Sequence, residues 1–234
     1  MVCLEEWSSD KADGMIKLGW AKERHEPLTV LCLGAHSDDI EIGCGATILQ
    51  LGRRSVKPKF CWVVFSAVGV RKLEAEKSAQ RFMAGCEGDV ILKEFRDGYL
   101  PYDGSRVKDF FEELKALAKP DVIFTHWHGD AHQDHRLVSE LTRNTFRNHS
   151  ILEYEIPKFD GDMGRPNTFV ELEEWAFREK VDNISTIFAS QQSKPWFSSE
   201  TFLGLMRLRG MESNASSGYA EAFYTRKMVI ETVD

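Results

Sequence analysis

Several features are scarce in this 234-residue chain, and each scarcity narrows what the protein can be. Cysteine is sparse and unpatterned. Cys3, Cys32, Cys44, Cys61 and Cys86 are odd in number, and none are spaced C-x-x-C. Cys32, Cys44 and Cys61 lie in or beside apolar or glycine-rich stretches, so they read as small hydrophobes in a reduced, cytoplasmic chain. No stretch of ~18 apolar residues occurs, so no membrane span is expected. The opening "MVCLEEWSSDKADGM" carries early acids and lacks the apolar centre of a signal peptide. Basic excess is missing as well: 30 Lys and Arg against 37 Asp and Glu leave a formal net charge of −7. A general nucleic-acid binder needs a basic patch to displace counterions, so that class is excluded. There is no internal repeat and no low-complexity linker. "GCGAT", residues 43–47, lacks the third glycine of a dinucleotide fingerprint. An acidic cluster precedes it where a pyrophosphate would sit, which disfavours a nucleotide-dependent enzyme.

What is present is alternation. Hydrophobic residues make up 42% of the chain, enough for a core without staples at this length. Apolar strand-like runs at 28–34, 60–66, 89–95 and 121–125 alternate with helical patterns at about 44–52, 71–84, 105–119 and 134–148. In the third pattern Val107, Phe110, Phe111, Leu114 and Leu117 recur at helical spacing, and Pro120 closes it. Such alternation predicts an α/β fold with a mostly parallel sheet covered on both faces. We expect a single domain over 1–234, with its core at about 28–190 and 191–234 packing near the site.

Ligands of such sheets sit beyond the carboxyl ends of the strands. Two strand ends here are chemically unusual. "AHSDDIEIGCGAT" follows the first strand and supplies His36, Asp38 and Asp39; "HWHGDAHQDH" follows the fourth and supplies His126, His128, Asp130, His132, Asp134 and His135. A charge buried at a strand end must be paired or bound to a metal. His36 and Asp39, three apart on a turn, can face one ion, and His135 would complete a two-histidine, one-carboxylate set of the kind zinc takes with one position left open. Asp38 would then lie close to the ion without ligating it, and His132, one turn before His135, can point at the same pocket. Asp134 and Asp130 can hold the histidine rings, although Asp134 is equally a plain helix cap. Any one of these residues alone reads as a cap or a solvated turn group. The joint occurrence, each cluster directly after an apolar strand, favours a metal site.

These segments resemble the PIG-L/LmbE-like family of zinc-dependent N-acetyl amino-sugar deacetylases. The family's first motif is A-H-P-D-D-E-x-x-x-G-G, and the chain resembles it with Ser37 for the proline and with departures at the glutamate position and in the glycine pair. Its second motif, roughly T-H-x-x-x-D-x-H-x-D-H, is matched throughout by "THWHGDAHQDH". Weaker echoes are "RKLEAEKSA", "FRDGYLP", "SQQSKPWF" and "YAEAF", so the likeness spans about 28–223. The resemblance implies a Rossmann-like three-layer α/β/α sandwich. It also implies His36, Asp39 and His135 as ligands of Zn²⁺ or another divalent transition ion, and Asp38 as general base to the metal's water. His132 would serve as oxyanion donor or acid, with Asp134 orienting it.

The expected reaction is removal of an N-acetyl group from a small amino sugar or its conjugate. The alternatives are hydrolysis of another amide or ester on the same scaffold, such as a thiol-conjugate amide, and a non-catalytic sugar-binding relative; no ligand or base is lost here to favour the last. Arg71, Asp97 and Asp130 are candidate sugar-binding residues, and Trp127 or Trp196 can stack on a sugar face. The segment 157–170 and the helical stretch at 175–188 offer surface for a homo-oligomer, unless Trp175, Phe177 and Phe188 complete the monomer core.

Overall fold

A computed structural model describes residues 17–20 and 26–230. Cys3 and the opening segment read for targeting signals lie outside the described residues. β1 (Thr29–His36), α1 (Asp39–Gly52), β2 (Lys59–Ser66), α2 (Val70–Phe82), β3 (Glu87–Leu92), α3 (Gly104–Leu117), β4 (Val122–His126), α4 (Gln133–Thr145) and β5 (Ser150–Tyr154) alternate strictly. β6 (Thr168–Glu171), α5 (Glu174–Ile187), α6 (Ser199–Glu212) and β7 (Ala220–Thr225) complete the described chain.

The apolar strands are buried on both faces, which is why they read as continuous runs. β1 sends Val30 and Cys32 to one side and Leu31, Leu33 and Ala35 to the other. β2 divides Trp62 and Val64 from Val63 and Phe65 in the same way. The first side is covered by α1, α2, α5 and α6, including Ile48, Phe82, Ile184 and Phe202. The second is covered by α3 and α4 through Val107, Phe110, Phe111, Leu114 and Val138. Each large apolar side chain buried this way contributes about 1.5–3 kcal/mol. The result is the expected α/β/α sandwich. Leu117 departs from its helical stripe: α3 ends there, Ala118 turns extended, and the side chain is 73% exposed.

Strand order is β3-β2-β1-β4-β5-β7-β6. β1 to β5 run parallel, while β7 is antiparallel to both β5 and β6. The order reverses direction between β1 and β4, and a crevice opens at such a switch point beyond the strand ends. Both unusual segments therefore leave the sheet side by side. The helix expected from about residue 44 begins earlier, at Asp39, and breaks at Cys44 (φ −144°, ψ 18°). Asp39 in its first turn suits the positive end of the helix dipole.

No helix among the described residues is long and apolar enough to cross a membrane. Cys32, Cys44, Cys61 and Cys86 are free thiols, the first two buried. Phe177 and Phe188 are buried in the first-side core, with Trp175 packed against it under the Arg53 guanidinium.

Candidate metal-binding active site

His36 closes β1, Asp38 is the N-cap of α1 and Asp39 its first helical residue. From β4 the chain passes His126 and turns into α4, where His132 is the N-cap and Asp134 and His135 lie in the first turn. His36 Nδ1 is 3.1 Å from His135 Nε2 and 3.3 Å from Asp39 Oδ2, and His135 Nε2 is 3.5 Å from Asp39 Oδ1. Ligand atoms around a tetrahedral zinc, with bonds of about 2.0–2.2 Å, stand about 3.3–3.5 Å apart. Nothing in this donor set has to move far to hold such an ion.

The far nitrogen of each ring is also held. His135 Nδ1 is 2.9 Å from Asp130 Oδ2. His36 Nε2 is 3.1 Å from Asp97 Oδ1 and 3.3 Å from Asp134 Oδ2. A carboxylate behind each imidazole fixes its tautomer and aims the other nitrogen inward, the usual support for a metal-ligating histidine. Asp39 is steadied by the His36 backbone N–H, 2.6 Å from Oδ2.

Beside a triple in which His132 joins His36 and His135, two further triples of donors lie close enough to compete. His126 joins Asp39 and His135 in one, but its Nε2 accepts the Ala35 N–H at 2.9 Å. Its ring is buried flat against His135 at 3.9 Å, so it serves as a floor for that ligand. Asp97 and Asp134 join His36 in the other. There the Asp134 oxygens accept the N–H groups of Gly98 at 2.7 Å and Leu100 at 3.1 Å, so they are already committed.

The field in the cluster favours cations. Burial opposes charge on His36, yet Asp39 and the hydrogen bonds from Asp134, Asp39 and Asp97 hold it well above the usual imidazole range. Burial likewise opposes ionisation of Asp39, but His135, His126 and His36 around it keep the carboxyl well below its usual range. His135 is lowered by burial and then by His126, against the pull of Asp39 and Asp130. An ionised Asp39 and a His135 that gives up its proton readily are the states a metal ion requires, whereas His36 would exchange its proton for the ion.

The remaining expected residues fall into definite places. Asp38 is buried, and its Oδ1 receives the Arg71 guanidinium at 2.7 Å. Arg71 thus holds the expected base, with Glu74 at 3.6 Å on its other side. His132 lies with its ring 4.8 Å from that of His36 and 4.6 Å from that of His135. Its Nδ1 accepts the Asp134 N–H at 3.2 Å. The Asp134 carboxylate turns away from His132, its expected partner, toward His36. Asp130 sits behind His135 and is buried, its carboxyl kept below the usual range as hydrogen bonding and charge from His135, then His126 and Lys158, outweigh burial. Asp97 is mostly exposed where it touches His36. Trp127 stacks on Tyr224 with ring centres 4.6 Å apart. Atoms added at Gly129 and Gly164 would strike its ring at 2.5 and 2.8 Å, so the indole is used within the fold.

Motif reading missed Lys158. Its ammonium lies 3.0 Å from Asp130 Oδ2 and 2.6 Å from Asp162 Oδ2, and Asp162 also accepts the Ala131 N–H at 2.7 Å. This loop buttresses the second motif from outside it, and no local pattern marks it. The break in α1 is equally non-local. Lys180 donates to the Ile42 carbonyl at 2.6 Å and to Glu221 at 2.7 Å, and Glu221 accepts the N–H groups of Ala46 at 2.9 Å and Thr47 at 2.7 Å. A buried ion pair thereby bonds the backbone groups freed by the break. Gly43 and Gly45 permit close packing there: an added Cβ would meet Tyr154 at 2.2 Å and Phe82 at 2.6 Å.

Comparison with known proteins adds the following. The family model described as PIG-L, GlcNAc-PI de-N-acetylase, matches residues 31–146. The uncharacterised deacetylase YaiS of Escherichia coli K12 is 26% identical over 144 residues, covering 55% of this chain and 74% of that protein. N,N'-diacetylchitobiose deacetylase from Pyrococcus horikoshii superposes with a TM-score of 0.62 at 20% identity, over 84% of this chain and 83% of its own. GalB, the 4-carboxy-2-hydroxymuconate hydratase of Pseudomonas putida KT2440, superposes at 0.69 with 17% identity, over 88% of this chain and all 100% of its own. At these identities the two structures speak for the fold.

Proposed function

Because the chain belongs to the PIG-L family, we propose that it is a metal-dependent hydrolase that removes the N-acetyl group from an amino sugar or amino-sugar conjugate. The observation that carries this reading is the inward-facing set of His36 Nδ1, His135 Nε2 and Asp39, with a carboxylate behind each ring. These three residues would hold the ion, zinc or a similar divalent transition metal. When bound, it supplies Lewis acidity to the acetyl carbonyl and lowers the pKa of water to about 7.

The chain's own residues do the rest. Arg71 fixes Asp38 through Oδ1, leaving Oδ2 to accept the proton of water as its oxygen adds to the acetyl carbon. His132 accepts a backbone N–H at Nδ1, so its neutral ring carries hydrogen at Nε2 and donates to the developing oxyanion. Nitrogen leaves only once protonated. Asp38 returns the proton it took, the C–N bond breaks, and acetate and free amine result. Asp97, exposed beside His36, is placed to bind a sugar hydroxyl. We read residues 1–234 as one catalytic unit, supported by the pairing of β7 with β5 in the same sheet. The free thiols fit a cytoplasmic protein.

The test is a panel of N-acetylated amino sugars, free and conjugated, assayed for released amine, with bound metal measured by elemental analysis. Asp38→Ala should keep its ion and lose about 10²- to 10⁴-fold in turnover, the worth of a positioned base. His36→Ala, Asp39→Ala and His135→Ala should lose ion and activity together. Near-normal deacetylation by Asp38→Ala, or amine release from no member of the panel by the metal-loaded protein, would defeat the reading. Turnover confined to other amides or esters would move the chain to that class.

A further inference from the structure

A cleft of about 350 Å³ lies at the carboxyl end of α4, beside the start of β5 and the end of β7, at the opposite end of that helix from His135. Its walls carry Arg143, Arg147, Arg226, Lys227 and His149, with Glu153 as the sole carboxylate. Four cationic heads less one carboxylate leave +3 in a chain whose formal net charge is −7. Glu153 is already matched: Arg143 binds both its oxygens, and the His128 N–H reaches it at 3.0 Å.

The positive charge is only partly used within the fold. Lys227 donates to the Arg147 carbonyl, and Arg147 uses Nε on the Asn144 carbonyl at 3.3 Å. The carboxyl end of a helix attracts such cations. That attraction accounts for these two contacts and no more. The two terminal nitrogens of Arg147 are unspent, and Arg226 makes no hydrogen bond or ion pair with any described residue. His149 Nδ1 is buried at the cleft wall with no partner, although its ring is packed against Phe146 at 5.3 Å.

We propose that this cleft binds a small phosphate-bearing anion of two or more charges, at a site separate from the catalytic cluster. Guanidinium forks match phosphate oxygens in pairs, and the volume falls at the lower end of small-ligand sites. The proposal stands independently of the deacetylase reading. The same helix presents His135 at one end and this cleft at the other, so the two sites are about 15 Å apart along its axis at 1.5 Å per residue.

The experiment is calorimetric titration of the 234-residue chain with inorganic pyrophosphate at low and moderate salt. One site per chain is expected, weakening as salt rises. Arg147→Gln and Arg226→Gln should each weaken binding tenfold or more, since each removes a charge-assisted bond, and His149→Ala should weaken it less. Both arginines lie at the surface, so the variants should melt like the parent, and Arg226→Gln should deacetylate an uncharged substrate at the parental rate. Retained affinity in the Arg147→Gln, Arg226→Gln double variant would overturn the proposal. So would binding abolished by His36→Ala, which would assign the anion to the metal cluster.

Discussion

Replacing Glu221 by Gln tests whether the buried ion pair sustains the broken helix. Glu221 is 3% exposed and Lys180 2%, so neither charge has access to bulk water. The carboxylate accepts three bonds, from Ala46 N–H, Thr47 N–H and the Lys180 ammonium. Glutamine keeps the shape but offers one oxygen. Its amide group turns a donor toward one of the two backbone N–H groups, and the Lys180 ammonium loses its counter-charge. Breaking a buried pair from one side costs about 3–5 kcal/mol, a large part of a total stability of ~5–15 kcal/mol. In a chain of this size 1 kcal/mol moves Tm by about 2–4 °C, so a drop of about 6–20 °C is expected. Unfolding in urea, measured on metal-depleted protein so that ion binding does not contribute, gives the free energy. Adding Lys180→Met removes the stranded ammonium, so the double variant should cost clearly less than the sum of the two single changes. A loss below about 1 kcal/mol for Glu221→Gln, or simple additivity in the double variant, would refute the reasoning.

Gly43→Ala should destabilise the fold by about 1–3 kcal/mol or more through overpacking, because the new Cβ meets a buried Tyr154 ring whose hydroxyl is tied to the Leu33 carbonyl at 2.6 Å; an unchanged urea midpoint would contradict that packing. Asp130→Asn should weaken metal binding about 10- to 100-fold in a chelator competition, since it removes the carboxylate behind His135, and parental affinity would show that the ring is held by other means. His132→Ala should keep its metal while turnover falls about 10²- to 10³-fold, the worth of one oxyanion donor; undiminished turnover would remove His132 from the proposed chemistry.

The parts of this structure legible in the sequence are those governed by short-range periodicity. Runs such as "LTVLCLG" and "DVIFT" are apolar throughout because they are covered on both faces, and the strands appear where they predict. His36, Asp39 and His135 could be grouped because each follows such a run, and the switch between β1 and β4 brings them together. Roles decided by distant partners were not legible. Asp134 stands next to His135 and two residues from His132, yet its carboxylate serves Gly98, Leu100 and His36. Asp130 is legible as a carboxylate that can hold a histidine ring, and it lies against His135; Arg71 reads as a sugar-binding group because polar residues near a site invite that reading, and its contact with Asp38 is a tertiary one. α1 begins at Asp39, ahead of the helical pattern at about 44–52, because Gly43 and Gly45 flank the non-helical Cys44 and split the periodicity of the helix. The antiparallel β7 pairs with strands on either side whose register depends on tertiary contacts, which local alternation does not encode.

The splice across α1 also gives the chain a clock. Ala46 and Thr47 find their acceptor 175 and 174 positions later. At about 5–20 residues per second, a ribosome needs about 9–35 s to travel from one to the other. Throughout that interval both histidine-bearing segments come to exist while the helix that presents Asp38 and Asp39 is still missing its bond to the last strand. An amino-terminal fragment ending before Ala220 would carry every proposed ligand of the cluster and still lack Glu221, the acceptor of the Ala46 and Thr47 N–H groups beyond the break. Competence at the first helix thus reports that the final strand has arrived.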